Sequence, residues 1–339
     1  MADEKKMSET ILTLRDRYRG CLLGLAVGGA LGTTLEFKRP GTFMPINDMV
    51  GDGPFNLQPG QWTDDTSMAL CLAESLLACG GFDARDQIQR YVRWWQEGHL
   101  SSTGTCFDIG STVAGALRRF LAQEEQTDGR ANPFAGSTDP QTAGNGSLMR
   151  LAPVPLFFSA RGPEKAIEEA GQSSRTTHGA AAAVDACRYM AALILGTLAG
   201  ASKESLLGPL FTPAGAETIW QDRPPCGPVQ AVANGSFRSK PSAQIRGTGY
   251  VVDSLEAALW AFDQSTTFEE GALLAVNLGD DADTTGAVYG QLAGAFYGAS
   301  GIPAGWLAKV HLREYLTGVA DRLFQRMIPS EDARLLSKS

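Results

Sequence analysis

With 339 residues, 43% of them hydrophobic and 19% charged, the chain is long enough to bury a large core. Its net charge of −8 excludes the basic face that nucleic-acid binding needs, but leaves room for a local phosphate pocket. The six cysteines, Cys21, Cys71, Cys79, Cys106, Cys187 and Cys226, include no Cys-x-x-Cys pair. That excludes a zinc ribbon or thioredoxin-type site and points to reduced thiols in a cytoplasmic protein.

The polar start, Met1-Ala2-Asp3-Glu4-Lys5-Lys6, lacks the apolar run and cleavage site of a signal peptide, and residues 1–10 read as a disordered lead. Helical spacing of apolar residues then predicts helices near 10–32, 65–80, 84–97, 107–123, 147–160 and 163–172. Further helices are predicted near 179–200, 251–263, 267–278, 284–299 and 310–327. The stretch from Ala180 to Gly200 is the longest apolar candidate for a membrane span, but Asp185 and Arg188 mark it as a buried helix, so no membrane association is expected.

Gly24, Gly28, Gly29 and Gly32 fall inside the first helix, and Gly286, Gly290, Gly294 and Gly298 recur every fourth residue in a later one. Small residues on such a stripe let two helices approach closely. Residues 124–144 and 211–249 are polar or proline-rich loops of a length often tied to function. Period-two β-branched runs are almost absent, so the class is all-α. Because the two acidic clusters lie on opposite sides of both loops, one domain is expected over 11–330, followed by a polar tail at 331–339.

Those clusters are Gln61-Trp62-Thr63-Asp64-Asp65-Thr66 and Gly279-Asp280-Asp281-Ala282-Asp283-Thr284, each just before a predicted helix. Asp and Thr are ordinary helix caps, and two solvated caps are one reading. Three aspartates within four positions exceed what capping uses, however, and such crowding is costly unless a cation neutralises it. Carboxylate, hydroxyl and water ligands suit magnesium or manganese. Only His99, His178 and His311 are present, none paired at ligand spacing, which counts against zinc.

With these clusters go Arg17-Tyr18-Arg19-Gly20-Cys21-Leu22-Leu23-Gly24, Gly28-Gly29-Ala30-Leu31-Gly32, Glu36-Phe37, Asp108-Ile109-Gly110-Ser111-Thr112 and Gly144-Asn145-Gly146-Ser147-Leu148-Met149-Arg150. Thr177-His178, Gly249-Tyr250-Val251-Val252 and Ala257-Ala258-Leu259-Trp260-Ala261 follow in order. Together, over roughly residues 15–327, they resemble the ADP-ribosylglycohydrolase family, which includes the dinitrogen-reductase-activating glycohydrolase and the ADP-ribosyl-acceptor hydrolases.

The resemblance implies a single-domain orthogonal helical bundle holding two Mg2+ or Mn2+ ions. Thr63, Asp64 and Asp65 would ligate from one side and Asp281, Asp283 and Thr284 from the other, with Asp280 a cap or outer group. It also implies catalytic parts for three carboxylates: Glu36 as base or proton shuttle, Asp65 as a metal-ligand carboxylate, and Asp108 facing the scissile linkage. Gly110 and Ser111 would line the substrate site; Ser111 stands where asparagine is frequent. Asn145, Gly146 and Ser147 would meet the diphosphate, His178 the phosphates or ribose, and Tyr250 the adenine. Each also has a plain alternative as cap, loop or core residue. Gly29 stands where many relatives carry aspartate.

The implied reaction is hydrolysis of ADP-ribosylated protein, with Asp108 favouring arginine as the acceptor. Serine-linked or O-acetyl-ADP-ribose, a small ADP-ribosyl substrate, a silent ADP-ribose binder and a diphosphate-cleaving metallophosphatase are the rivals.

Overall fold

Glycine spacing and apolar periodicity set the frame that the structure realises. This computed structural model describes residues 2–327; the polar tail at 331–339 lies outside them. In chain order the helices are α1 (Ala2–Gly32), α2 (Asp64–Cys79), α3 (Ala84–Glu97), α4 (Ser111–Thr127), α5 (Pro153–Phe158), α6 (Pro163–Arg175) and α7 (Ala181–Leu198). Four short ones follow: α8 (Lys203–Leu206), α9 (Ile219–Asp222), α10 (Gly227–Ala233) and α11 (Ser236–Ser239). The set closes with α12 (Val251–Gln264), α13 (Phe268–Val276), α14 (Ala282–Tyr297), α15 (Ala304–Lys309) and α16 (Arg313–Met327). Among the described residues there is no strand, only isolated bridges such as Gly144 with Tyr250. The all-α class stands.

The spine of the molecule is α1 against α14, joined along facing glycines. A Cβ placed on Gly28 would lie 1.9 Å from the Gly286 carbonyl oxygen, and one on Gly290 would lie 2.0 Å from that of Gly24. The two backbones therefore touch, with no side chain between them. Residues of the opening motif hold this spine in place. The Arg17 guanidinium donates to the carbonyls of Thr197, Ala295 and Phe296 at 2.9–3.1 Å, closing the ends of α7 and α14. Arg15 and Arg19 both grip Asp321 on α16.

By length and composition α7 could cross a membrane, with a mean hydropathy of 1.4, but 72% of it is buried inside the molecule. Asp185 and Arg188 pair at 2.9 Å on its flank. It is a core helix.

Some boundaries differ from the sequence expectation. Helix α1 begins at Ala2, so residues 2–10, expected to be a disordered lead, are helical; Ala2, Glu4, Lys5, Lys6 and Met7 are good helix formers. The helix expected at 107–123 starts only at Ser111, because Gly110 is extended (φ −62°, ψ 147°). The one expected at 147–160 shrinks to α5, since Pro153 has no N–H and is tolerated only in a first turn. The proline-rich stretch 211–249 contains three short helices, α9 to α11.

The glycine seam gives a test of opposite signs. Gly290→Ala should destabilise the protein by about 2 kcal/mol or more, because backbone on both helices must give way. Gly29→Ala lies one residue off the seam, where the added Cβ would meet only the Ala287 Cβ at 4.0 Å. It should stabilise the fold by up to about 1 kcal/mol, the helix-propensity gain over glycine. Urea unfolding of the two variants measures both.

Candidate active site

Two helix starts meet at one place. Thr63, the extended residue before α2, and Asp281, the residue before α14, both occupy cap positions, yet neither side chain makes a capping bond. The Thr63 hydroxyl instead lies 2.6 Å from Asp65 Oδ2 and 2.7 Å from Asp283 Oδ2, so one proton serves two carboxylates more than two hundred residues apart. Solvated caps would be exposed; Asp64, Asp65 and Asp283 are 6%, 0% and 2% exposed. The capping alternative fails on both counts.

Two further carboxylates join them. Glu36, just past the end of α1, accepts the Asp283 backbone N–H through Oε2 at 3.4 Å. Asp108, held at φ +59° ahead of α4, turns its carboxylate into the same cavity. Oxygens of Glu36, Asp281 and Asp283 all lie within 4.8 Å of one another, and so do those of Asp64, Asp108 and Asp283. The two trios share Asp283.

Whether a divalent ion fits here can be judged on the donors themselves. The donor set is hard oxygen throughout, matching Mg2+ or Mn2+. Among the described residues, no lysine or arginine lines the cavity to offset it. Asp65 Oδ1 is fully buried with no hydrogen-bond partner among the described residues, a costly omission in a metal-free site. The residues fit.

The cavity encloses about 310 Å3, at the small end of ligand sites. Of the residues anticipated from sequence, Glu36, Asp64, Asp108, Gly110, Ser111, Asn145, Gly146, His178, Asp281, Asp283 and Thr284 line it. Thr63 and Asp65 sit behind Asp283 and are not in its wall.

Three of the expected substrate-contact residues have partners or positions of their own in the fold. The Asn145 side-chain amide donates to Asp281 Oδ2 at 2.9 Å and to Ser254 Oγ at 2.8 Å, so it orients a carboxylate. The Ser147 hydroxyl turns inward and accepts from Ser174 Oγ at 2.8 Å. Tyr250, 39% exposed, stands beside the cavity residue Gly249 but outside the wall. Asp280 pairs with Arg246 at 2.6 Å on the outside, as a residue beyond the ligand set should.

Phe37, Ile109, Val113, Met149 and Gly249 line the cavity without having been anticipated. Phe37 carried a signal in its place next to Glu36; its positive φ of 62° could not be read from sequence.

The family model described as ADP-ribosylglycohydrolase matches residues 10–333. The chain belongs to the ADP-ribosylglycohydrolase family. It is 40% identical over 317 residues to the ADP-ribosylarginine hydrolase Tri1 of Serratia proteamaculans (strain 568), spanning 94% of this chain and 81% of that one. Its counterpart from Pseudomonas putida (strain GB-1) is 44% identical over 325 residues, with 95% and 82% covered. The ADP-ribosyl-[dinitrogen reductase] glycohydrolase of Rhodospirillum rubrum is 30% identical, with 89% and 92% covered. Among solved structures, an "ADP-ribosylglycohydrolase-related protein complex" matches with a TM-score of 0.78 and 43% identity, over 93% of this chain and 99% of that one.

Burial and mutual repulsion raise the proton affinity of this cluster. Desolvation first, then Asp283, lifts Asp281 to about 7, and the same two causes lift Asp108 to about 10. Glu36, Asp64 and Asp65 are also raised, again by burial and then by neighbouring carboxylates. A carboxyl whose folded pKa exceeds its unfolded value of about 4 destabilises the folded state as pH rises past 4. A bound divalent cation offsets that loss by displacing the protons. The gain in Tm on adding Mg2+ or Mn2+ should therefore widen between pH 6 and pH 8. Differential scanning fluorimetry with and without chelator reads this directly, and a gain that shrinks with pH would contradict it.

Proposed function

We propose that this chain hydrolyses the N-glycosidic bond joining ADP-ribose to an arginine side chain of a protein, releasing ADP-ribose, with two Mg2+ or Mn2+ ions in the site. The observation that carries the reading is the pair of carboxylate trios sharing Asp283 at the base of one cavity. The level of identity to ADP-ribosylarginine hydrolases supports the choice of acceptor.

Asp64, Asp108 and Asp283 would hold one ion and Glu36, Asp281 and Asp283 the other, with Thr63, Asp65 and Thr284 completing or supporting the set. When bound, the ions neutralise the cluster, orient the substrate and increase the acidity of water. Water adds across the C1″–N bond: hydroxyl goes to C1″, and the departing guanidine takes up a proton. Glu36, buried and with its proton affinity raised, is placed to take the proton from the attacking water and pass it on. Asp108 faces the cavity from the α4 side, where its two oxygens can accept parallel N–H bonds from a guanidinium.

At the other wall the turn at Asn145 leads with the backbone N–H groups of Gly146 and Ser147, which have no backbone acceptor among the described residues. Donors of that kind suit a diphosphate. Tyr250, exposed beside Gly249, would stack on the adenine.

The test is release of free ADP-ribose from an ADP-ribosylarginine protein in Mg2+ or Mn2+, with a chelator control. Metal-dependent release is expected; AMP as the product, or release from serine-linked substrate alone, would overturn the assignment. Asp283→Asn should lower kcat/KM by about a hundredfold or more, the scale of losing a principal electrostatic contact. Asp280→Asn, which alters only a surface ion pair, should leave it unchanged.

A further inference from the structure

His178 is 1% exposed, yet it forms part of the cavity wall. Its Nδ1 lies 2.9 Å from Thr177 Oγ1. Its other nitrogen, Nε2, has no partner among the described residues and faces the backbone of the Gly144–Gly146 turn. A Cβ on Gly144 would lie 3.4 Å from Nε2, and one on Gly146 3.2 Å from it. The turn is thus kept bare of side chains where this ring edge emerges.

Behind His178 stands a wholly buried arginine with no carboxylate partner among the described residues. Arg150 is 0% exposed and donates through NH1 to the Gly146 carbonyl at 2.9 Å and through NH2 to Thr177 Oγ1 at 2.7 Å. Its guanidinium lies over the Tyr91 ring, 4.5 Å from the centroid. Guanidinium can only donate, so the Thr177 oxygen accepts from Arg150. Among the described residues the Thr177 hydroxyl proton then has one acceptor in reach, His178 Nδ1. A ring nitrogen that accepts carries no proton, which leaves the proton of the neutral imidazole on Nε2.

We propose that Arg150 and Thr177 are positioning residues that lock His178 in its Nε2–H tautomer, so that it donates one fixed hydrogen bond from the cavity wall to a phosphate oxygen of the bound ADP-ribosyl group. This rests on the ADP-ribose reading of the cavity, while the tautomer itself is a property of the free enzyme. Burial, reinforced by the Arg150 charge, lowers the His178 pKa to about 3, so the ring stays neutral over the working range. A neutral donor suits this position because it adds specificity without adding a cation that would compete with the ions held by the carboxylates. Arg150 supplies positive charge behind the ring without entering the cavity.

The experiment combines nitrogen-15 NMR of the metal-free enzyme with calorimetric titration of ADP-ribose. The chain has three histidines, and His178→Gln assigns the resonance of interest. Expected are a neutral Nε2–H ring at pH 7 in the wild type, and a roughly tenfold loss of ADP-ribose affinity in Thr177→Val, as for losing a supporting hydrogen bond. Thr177→Ser, which keeps the hydroxyl, should restore both tautomer and affinity; a purely structural role for Thr177 would not be rescued in this way. An Nδ1–H or charged ring in the wild type overturns the proposal whether or not the valine variant folds. Full affinity in a folded Thr177→Val overturns it as well. Absence of ADP-ribose binding by the wild type would count against the functional reading, while the tautomer would still decide the relay.

Discussion

The contact between α1 and α14 is the constraint on which the site depends. Helices that pack through side chains sit 8–10 Å apart and can slide as rotamers adjust. Here the glycines remove that freedom: backbone meets backbone from Gly20 against Gly294 to Gly32 against Ala282. Glu36 follows four residues beyond the seam, and Asp281 and Asp283 flank Ala282 at its end. A seam that closes to within atomic contact therefore sets how far Glu36 stands from its partner trio. Its close fit, expected from the sequence as packing alone, is also what positions the chemistry.

Against that rigid frame the carboxylates are held at a local cost. The positive ends of α2 and α14 point at them, one threonine hydroxyl is shared between Asp65 and Asp283, and Asn145 donates to Asp281. These contacts do not balance six clustered acidic groups, four of them buried, and among the described residues Asp65 Oδ1 is left without a donor. Positive charge has to come from outside the chain. Stability and function conflict here in the usual way: a polar cluster that would be better replaced by apolar residues for folding is kept for what it binds.

How much of this could be read from the sequence follows from what periodicity encodes. Spacing reports which face of an element is apolar, so the helices, the glycine stripe and both acidic clusters were legible. Spacing does not report which distant face a residue meets. That Asp108 and Glu36 join the clusters closely enough to act as ligands was not readable from local pattern, and their expected parts came through the family resemblance. The side-chain partners of Asn145 and Ser147 were not legible, because a polar residue beside a glycine turn looks alike whether its side chain meets a ligand or a neighbour. Arg150 stood in the sequence only as the last residue of the motif from Gly144 that carries the family resemblance. Only the fold shows it buried without an acid, its charge spread over a carbonyl, a hydroxyl and the Tyr91 ring.

Of the nine described non-glycine residues at positive φ, three border the site. Phe37, Asp108 and Asp280 all adopt positive φ, a conformation that L side chains resist at a cost of about 1–3 kcal/mol each. Two of them brace each other: Phe37 N–H donates to the Asp280 carbonyl at 2.7 Å, and Asp280 N–H donates to the Lys38 carbonyl at 2.7 Å. Phe37 directly follows Glu36 and Asp280 directly precedes Asp281, so this reciprocal pair ties together the chain segments bearing two members of one trio. Glycine at either position would relieve the strain, but it would also free the segment to choose other conformations. The neighbouring Gly279 already supplies the turn at φ 72°, which leaves the strained residues as the stiff part. A site whose carboxylates repel one another needs that stiffness, because without it the cluster would lower its energy by spreading apart.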